Sequence, residues 1–147
     1  MFLGALLPLG AKEIWRTAPP PRVRFFFWLV LHGRCWTAER RRRHGLQPDD
    51  TCIMCDQGVE TIDHILLTCC YSREVWHCWL SRLHLCDVAP LQDDLAIPWW
   101  LRVRKLLSKS IRKDFDSFFF LMGWSLWKEW NDRTFREPRR RRNDGRC

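Results

Sequence analysis

Several things are scarce in this chain of 147 residues. It has one tyrosine and five lysines, and beyond its first nine residues no apolar run exceeds the seven from Phe25 to Leu31. A membrane-crossing helix needs about 20 consecutive apolar residues, so none is expected and no membrane partner is implied. Met1 to Leu9 is apolar but carries no positive flank and no small-residue cleavage site, so it does not read as an export signal. Without export, the eight cysteines are not expected to form a secreted disulfide framework. An intracellular, reduced setting follows, and the short Arg139–Arg142 run leaves the nucleus open as a destination. Catalytic patterns are also missing. The lone Tyr71 is followed by Ser72-Arg73-Glu74, and Asp49-Asp50 and Asp93-Asp94 sit in turn-like loops. These do not resemble the paired carboxylates that hold two metal ions in a polymerase. No phosphate-binding glycine loop, nuclease carboxylate set or nucleophile–base pair is recognisable, so a non-catalytic chain is expected.

The aromatic and basic residues stand out instead. Ten tryptophans and nine phenylalanines predict an aromatic core, because most of them recur at helical spacing. Twenty of the 25 basic residues are arginine, and the net charge is +8. The guanidinium forks onto phosphate and stacks on bases, so this excess suits RNA or DNA. A merely solvated basic surface is the plainer alternative.

Periodicity and punctuation predict a mostly α fold organised around the loop from Cys52 to Cys69. Residues 1–11 read as a loose leader, residues 12–85 as a domain built around that loop, residues 86–136 as a helical extension and residues 137–147 as a disordered basic tail. Pro19-Pro20-Pro21 should stop any helix. A helix is expected from Arg22 to Arg43, broken at Gly33, with Phe26, Trp28 to Leu31 and Trp36 buried and Thr37 capping the second piece. A helical turn should carry His64. Ser72 should cap a helix that buries Val75, Trp76, Trp79, Leu80 and Leu83. Residues 86–98 read as a loop. Trp99 to Lys113 reads as one amphipathic helix, with Trp100, Val103, Leu107 and Ile111 on one face and Arg102, Lys105, Lys109 and Arg112 on another. Phe115 to Arg136 reads as the last helix.

Within one 18-residue window lie Cys52, Cys55, His64 and Cys69, a C-x2-C-x8-H-x4-C array. Three thiolates and an imidazole suit tetrahedral zinc, and four protein ligands leave no open position for chemistry. The spacing resembles a retroviral zinc knuckle with a longer middle loop. By spacing alone Cys70 could replace Cys69 as fourth ligand, with His77 and Cys78 as more distant candidates. Cys35, Cys86 and Cys147 lack ligand spacing and read as structural or incidental thiols.

Lys12-Glu13-Ile14-Trp15, Ala18-Pro19-Pro20 with Arg22 to Trp28, the Cys52–Cys55 pair, Glu60 to His64 and Cys69 to Trp76 together resemble the plant reverse transcriptase zinc-binding domain family. That module belongs to LINE-type (non-LTR) retrotransposon proteins. Trp127 to Phe135 is similar to a segment that follows it in grass copies. The resemblance implies one structural zinc on Cys52, Cys55, His64 and Cys69, favours Cys69 over Cys70, and implies a polymerase domain as a possible partner. Cys70 and Trp130 depart from the family pattern, which usually has proline and arginine there.

Charge divides along the chain. From Gly45 to Ser72 there is no Lys or Arg, while Asp49, Asp50, Asp56, Glu60 and Asp63 are acidic. Because affinity for nucleic acid tracks the phosphates neutralised by Lys and Arg, the zinc lobe is expected to brace rather than grip. Arg40, Arg41, Arg42 and Arg43 and the Arg102, Lys105, Lys109 and Arg112 face are the candidate nucleic-acid contacts. The competing readings are a protein-interaction scaffold stabilised by zinc and a non-functional transposon fragment.

Overall fold

Three consecutive prolines divide the first two helices. α1 spans Ala11–Arg16 and α2 spans Pro21–Leu31, with Pro21 at the first helical position, where its missing N–H leaves no bond unmade. The computed structural model describes residues 9–136. The Arg139–Arg142 run, Cys147 and most of the expected leader lie outside the described residues. After α2 the chain turns through Gly33, whose φ of 62° is left-handed. It then enters α3, Ala38–Arg43. The Thr37 hydroxyl accepts the Arg40 amide at 3.3 Å, the cap expected from sequence. A loop with one antiparallel bridge, Thr51 to Val59, leads to a single π-helical turn at His64–Thr68 and to α4, Cys70–Arg82. A 3₁₀ turn at Cys86–Val88 precedes α5, Ala96–Leu106, and α6, Lys109–Phe135. No β-strand occurs among the described residues, so the expected mostly α fold around a metal-binding loop is what forms.

α6 is the spine, packed against α2, α5 and the π turn. Phe119 sits among aromatic rings from three helices. It stacks on Trp100 at 5.5 Å and 8°, and lies 5.9 Å from both Trp76 and Trp99 and 5.2 Å from Phe27. One continuous hydrophobic core therefore runs through residues on both sides of position 86. The buried stripe of α2 is Val23, Phe26, Phe27 and Val30, at i, i+3, i+4 and i+7. Trp28 to Leu31 only partly matches the expected face, and Trp36 is exposed. On α4, Trp76 and Leu80 are buried, but Trp79 and Leu83 face solvent.

Three expected boundaries shift. α4 begins at Cys70, and Ser72 lies inside it, buried, its hydroxyl donating to the Ile65 carbonyl instead of capping. Residues 86–98 are only partly loop, because the 3₁₀ turn and the first turn of α5 fall inside them. Pro98 is tolerated there because first-turn amides need no helical partner. The predicted Trp99–Lys113 helix breaks at Leu107-Ser108, both extended. Ser108 takes the N-cap position that serine favours. Ile111 consequently belongs to α6 and is exposed, not in line with Trp100.

The α5–α6 corner is held by buried Asp116. It accepts the Trp100 indole N–H at 2.8 Å and a bidentate pair from Arg104 at 3.0 Å each, the strong fork geometry of guanidinium and carboxylate. Against α2, α6 comes close enough that a Cβ at Gly123 would sit 2.5 Å from the Phe27 ring. Phe27 is fully buried and cannot retreat. Gly123→Ala should therefore lower stability by about 1–3 kcal/mol through overpacking, despite the helix-propensity gain of about 1 kcal/mol from alanine. Thermal unfolding of the zinc-loaded protein tests this: an unchanged or raised Tm would show that the ring has room.

Candidate metal centre

The Cys52–Cys55 pair sits on a tight turn whose conformation is fixed locally. The Asp56 amide donates to the Cys52 carbonyl at 2.8 Å, and Asp56 itself is left-handed, φ 56°, a conformation that aspartate tolerates better than most residues. The Cys52 amide returns to the Gly58 carbonyl at 2.7 Å. Backbone amides of Met54 and Cys55 point at the Cys52 sulfur, and those of Gln57 and Gly58 at the Cys55 sulfur. Such donors favour thiolate. From the other side, the π turn brings up His64, and the start of α4 brings up Cys69.

The four ligand atoms of Cys52, Cys55, His64 and Cys69 lie within 4.8 Å of one another. The Cys52 and Cys69 sulfurs are 3.9 Å apart, and the Cys55 sulfur is 3.3 Å from His64 Nε2. A tetrahedral zinc with ordinary bond lengths has S···S and S···N edges of about 3.8 and 3.5 Å. The donor set fits the ion. Cys70, the spacing alternative, is not in the cluster, and His77 and Cys78 are exposed on α4.

Without metal the Cys52 thiol shares its proton with Cys69, which holds Cys69 well below the usual thiol range and Cys52 above it. A cation would replace that proton. Gly58 lies against the imidazole: a Cβ there would be 2.7 Å from His64 Cε1. Thr68 Oγ1 is 3.5 Å from Nδ1, the ring nitrogen that carries the proton when Nε2 holds a metal.

Two carboxylates tie this lobe to the helices around it. Glu60 is 1% exposed. Its Oε1 accepts the Ala38 amide at the start of α3 at 2.9 Å, and its Oε2 accepts the Ile53 amide within the metal turn at 3.0 Å. Its own carbonyl accepts the Glu39 amide at 3.2 Å. Asp63 accepts the Ala96 amide, the first of α5, at 2.8 Å; burial pushes its carboxyl above the usual range. Sequence reasoning counted both acids as negative charge and as part of the family resemblance, and gave neither a structural role. One signal was present: a lobe without Lys or Arg leaves its acids backbone amides as the main available donors.

A small, closed Cys3His zinc-binding domain is what this fold and donor set define. Residues 8–76 match the family described as zinc-binding in reverse transcriptase. Over those residues, just under half of the chain, the sequence is similar to that family. An Arabidopsis thaliana protein named "Putative ribonuclease H protein" is 35% identical over 63 residues, covering 43% of this chain and 10% of its own length. The chain thus spans about a tenth of that relative. No solved structure matches. No helix among the described residues is long and apolar enough to cross a membrane.

The candidate basic contacts are dispersed. Arg40, Arg41, Arg42 and Arg43 form most of α3. Arg42 pairs with Asp50 and Arg43 with Glu39, both at 2.6 Å. Arg40 lies over the Trp36 ring at 4.4 Å, and Arg41 lies 5.9 Å from the Trp130 ring centroid. The second quartet does not share one helix. Arg102, on α5, pairs with Asp94 at 3.1 Å, and Lys105 is exposed on α5. Lys109 and Arg112, on α6, line a cleft of about 410 Å³ with Arg16 and Lys113. Two nitrogens of Arg112 donate to the carbonyls of Arg104 and Leu107, at 2.8 and 3.1 Å, closing the end of α5.

Structural zinc contributes about 10–16 kcal/mol of apparent binding energy at neutral pH, against a whole-domain stability of about 5–15 kcal/mol. Elemental analysis should find one zinc per chain in the wild type and none in Cys52→Ser. Lowering the pH should release the metal, since protons compete for the same sulfurs and imidazole. Glu60→Ala leaves the Ala38 and Ile53 amides buried without acceptors and should cost about 2–4 kcal/mol, read by denaturant unfolding at saturating zinc. A loss within error of zero would mean that water replaces the carboxylate.

Proposed function

We propose that the domain is a non-catalytic zinc-organised module that assists nucleic-acid binding in a reverse transcriptase-related protein. The observation that carries this reading is the pair of carboxylates, Glu60 and Asp63, which fix the N-terminal ends of α3 and α5 from the metal lobe. α3 bears Arg40–Arg43, and α5 bears Arg102 and Lys105. Zinc then acts at one remove: it sets the lobe, and the lobe sets the basic helices.

The ion pairs of Arg42, Arg43 and Arg102 do not oppose this role. Their guanidinium side chains are 57–65% exposed, and exposed pairs contribute little, so phosphate can displace the carboxylates. The four ligands close the metal's coordination and leave no position for substrate, which supports the non-catalytic reading. The relative in which the matching segment is a small part of a longer chain supports a module that works beside polymerase or nuclease domains. An intracellular, and for a retroelement protein nuclear, setting fits this reading.

The slope of log affinity against log salt for a single-stranded RNA or DNA measures the phosphates neutralised. Replacing Arg40, Arg41, Arg42 and Arg43 together with alanine should flatten that slope by about 2–4 units. Chelating the zinc should weaken binding as well. An unchanged slope removes α3 from the interface, and unchanged binding after chelation removes the metal from the mechanism.

A further inference from the structure

Between α2, α6 and the turn that leads to α3 lies a groove of about 550 Å³, a size within the range of small-ligand sites. Buried Phe26 and Trp130 form its floor. Phe25, Trp36 and Phe135 line it while 45–60% of their surface stays in water (51%, 47% and 60%). Such large apolar side chains clustered around one groove mark an interaction site more often than a chance exposure.

Its charge is one-sided. Among the described residues, Arg22 and Arg34 line the groove and no acid does. Arg40 extends the positive edge, stacked on Trp36 and anchored by a bond to the Gly33 carbonyl at 3.0 Å. The acids in the last turns of α6, Glu129 and Asp132, are already paired with Arg133 and Arg136. An apolar helix of a partner protein would need the aromatic surface but would find no use for a wholly cationic rim.

A second observation points to a ligand that accepts hydrogen bonds. The indole N–H of Trp130 and the Nε–H of Arg41 are both buried, and neither has a hydrogen-bond partner among the described residues. Trp130 lines the groove, and the Arg41 guanidinium lies behind its lining, 5.9 Å from the Trp130 ring and 5.6 Å from the Phe135 ring. Buried donors are rarely left unmet. An acceptor from outside the described residues, such as a base carbonyl or a phosphate oxygen, would meet them.

We propose that this groove binds single-stranded nucleic acid, its bases stacked on Phe25, Trp36 and Phe135 and its backbone phosphates held by Arg22 and Arg34. Unpaired bases offer π-faces that a duplex conceals, and base–aromatic stacking is largely indifferent to sequence. The inference rests on the nucleic-acid reading above and sharpens it: the ligand is single-stranded, and the aromatic groove, not α3 alone, recognises it.

The test uses the full zinc-loaded chain, a fluorescein-labelled oligouridylate, an oligothymidylate of the same length and a duplex of matched length. Wild type should bind the single strands at least about tenfold more tightly than the duplex. The double variant Phe25→Ala, Trp36→Ala should lose about tenfold or more in single-strand affinity, keep its salt slope and bind duplex as before. Both side chains are exposed, so folding should survive, and zinc content with thermal unfolding checks that it does. Trp36→Phe should recover most of the affinity in the single-variant background. Photo-crosslinking of a 4-thiouridine oligomer should label Phe25, Trp36 or Phe135. Equal affinity for single strand and duplex, or an undiminished double variant, would overturn the groove while leaving the arginine-dependent slope of α3 as a separate result. Absence of binding to all three probes overturns the nucleic-acid reading as well.

Discussion

The rest of the protein hangs on a short chain of contacts from a metal ion to a buried carboxylate to a helix end. The stretch from Thr51 to Cys69 contains little regular structure, chiefly one bridge and one π turn. Unaided, so few hydrogen bonds and apolar contacts cannot offset the entropy of fixing its backbone, about 1–2 kcal/mol per residue. Zinc supplies the missing term. Once the lobe is set, Glu60 holds the Ile53 amide with one oxygen and the Ala38 amide with the other. α3 has six residues, too short to persist in water alone. It is held at its start by Thr37 and Glu60, and beside it Arg42 reaches Asp50. The metal's influence on a distant arginine is therefore mechanical and local at every step.

The aromatic core solves a different problem. α6 has 27 residues and must meet α2, α5 and the π turn at once. Indole and phenyl rings fill these crossings because they bury large area at low conformational cost, and their polar edge can still be met: Trp76 donates to the Leu66 carbonyl at 2.7 Å and Trp99 to Val88 at 2.9 Å. Gly123 is the complement, an absent side chain where Phe27 enters. The core also reaches the metal lobe directly, since Ile65, Leu66 and Leu67 of the π turn are fully buried within it. His64 is thus positioned from both sides, by the core behind its backbone and by Gly58 against its ring.

The Cys3His cluster was legible in the sequence because coordination chemistry restricts both residue type and spacing, and four candidate ligands in one window leave few alternatives. Choosing Cys69 over Cys70 needed the family resemblance, and the geometry agrees with it. Helix existence was legible from periodicity. Helix ends were less so: Ser72 and Ser108 are both serines near a helix start, yet only Ser108 occupies the capping position, because Ser72 is drawn inward to Ile65. The period of a helix carries no record of a break that preserves apolar content. Arg102, Lys105, Lys109 and Arg112 therefore looked like one face although the chain turns between Lys105 and Lys109. Glu60 was invisible in its role, because a buried carboxylate is recognisable only from the amides that surround it.

The acidity of the metal lobe gains a cause from this arrangement. A Cys3His site with zinc carries a formal charge of about −1, and a cluster of further acids beside it would seem unfavourable. Four of the five do specific work, Asp49 by accepting the Thr51 amide and hydroxyl at 2.9 and 2.7 Å. Glu60 and Asp63 each complete a helix N-terminus, where the backbone dipole favours negative charge, and Asp50 draws Arg42 toward the lobe. The absence of Lys and Arg between Gly45 and Ser72 keeps these carboxylates available for backbone amides and for arginines of α3. It also keeps competing cations away from the thiolates. Negative charge at the centre is what arranges positive charge around it, and a basic substitution within the lobe would weaken the surface it was meant to extend.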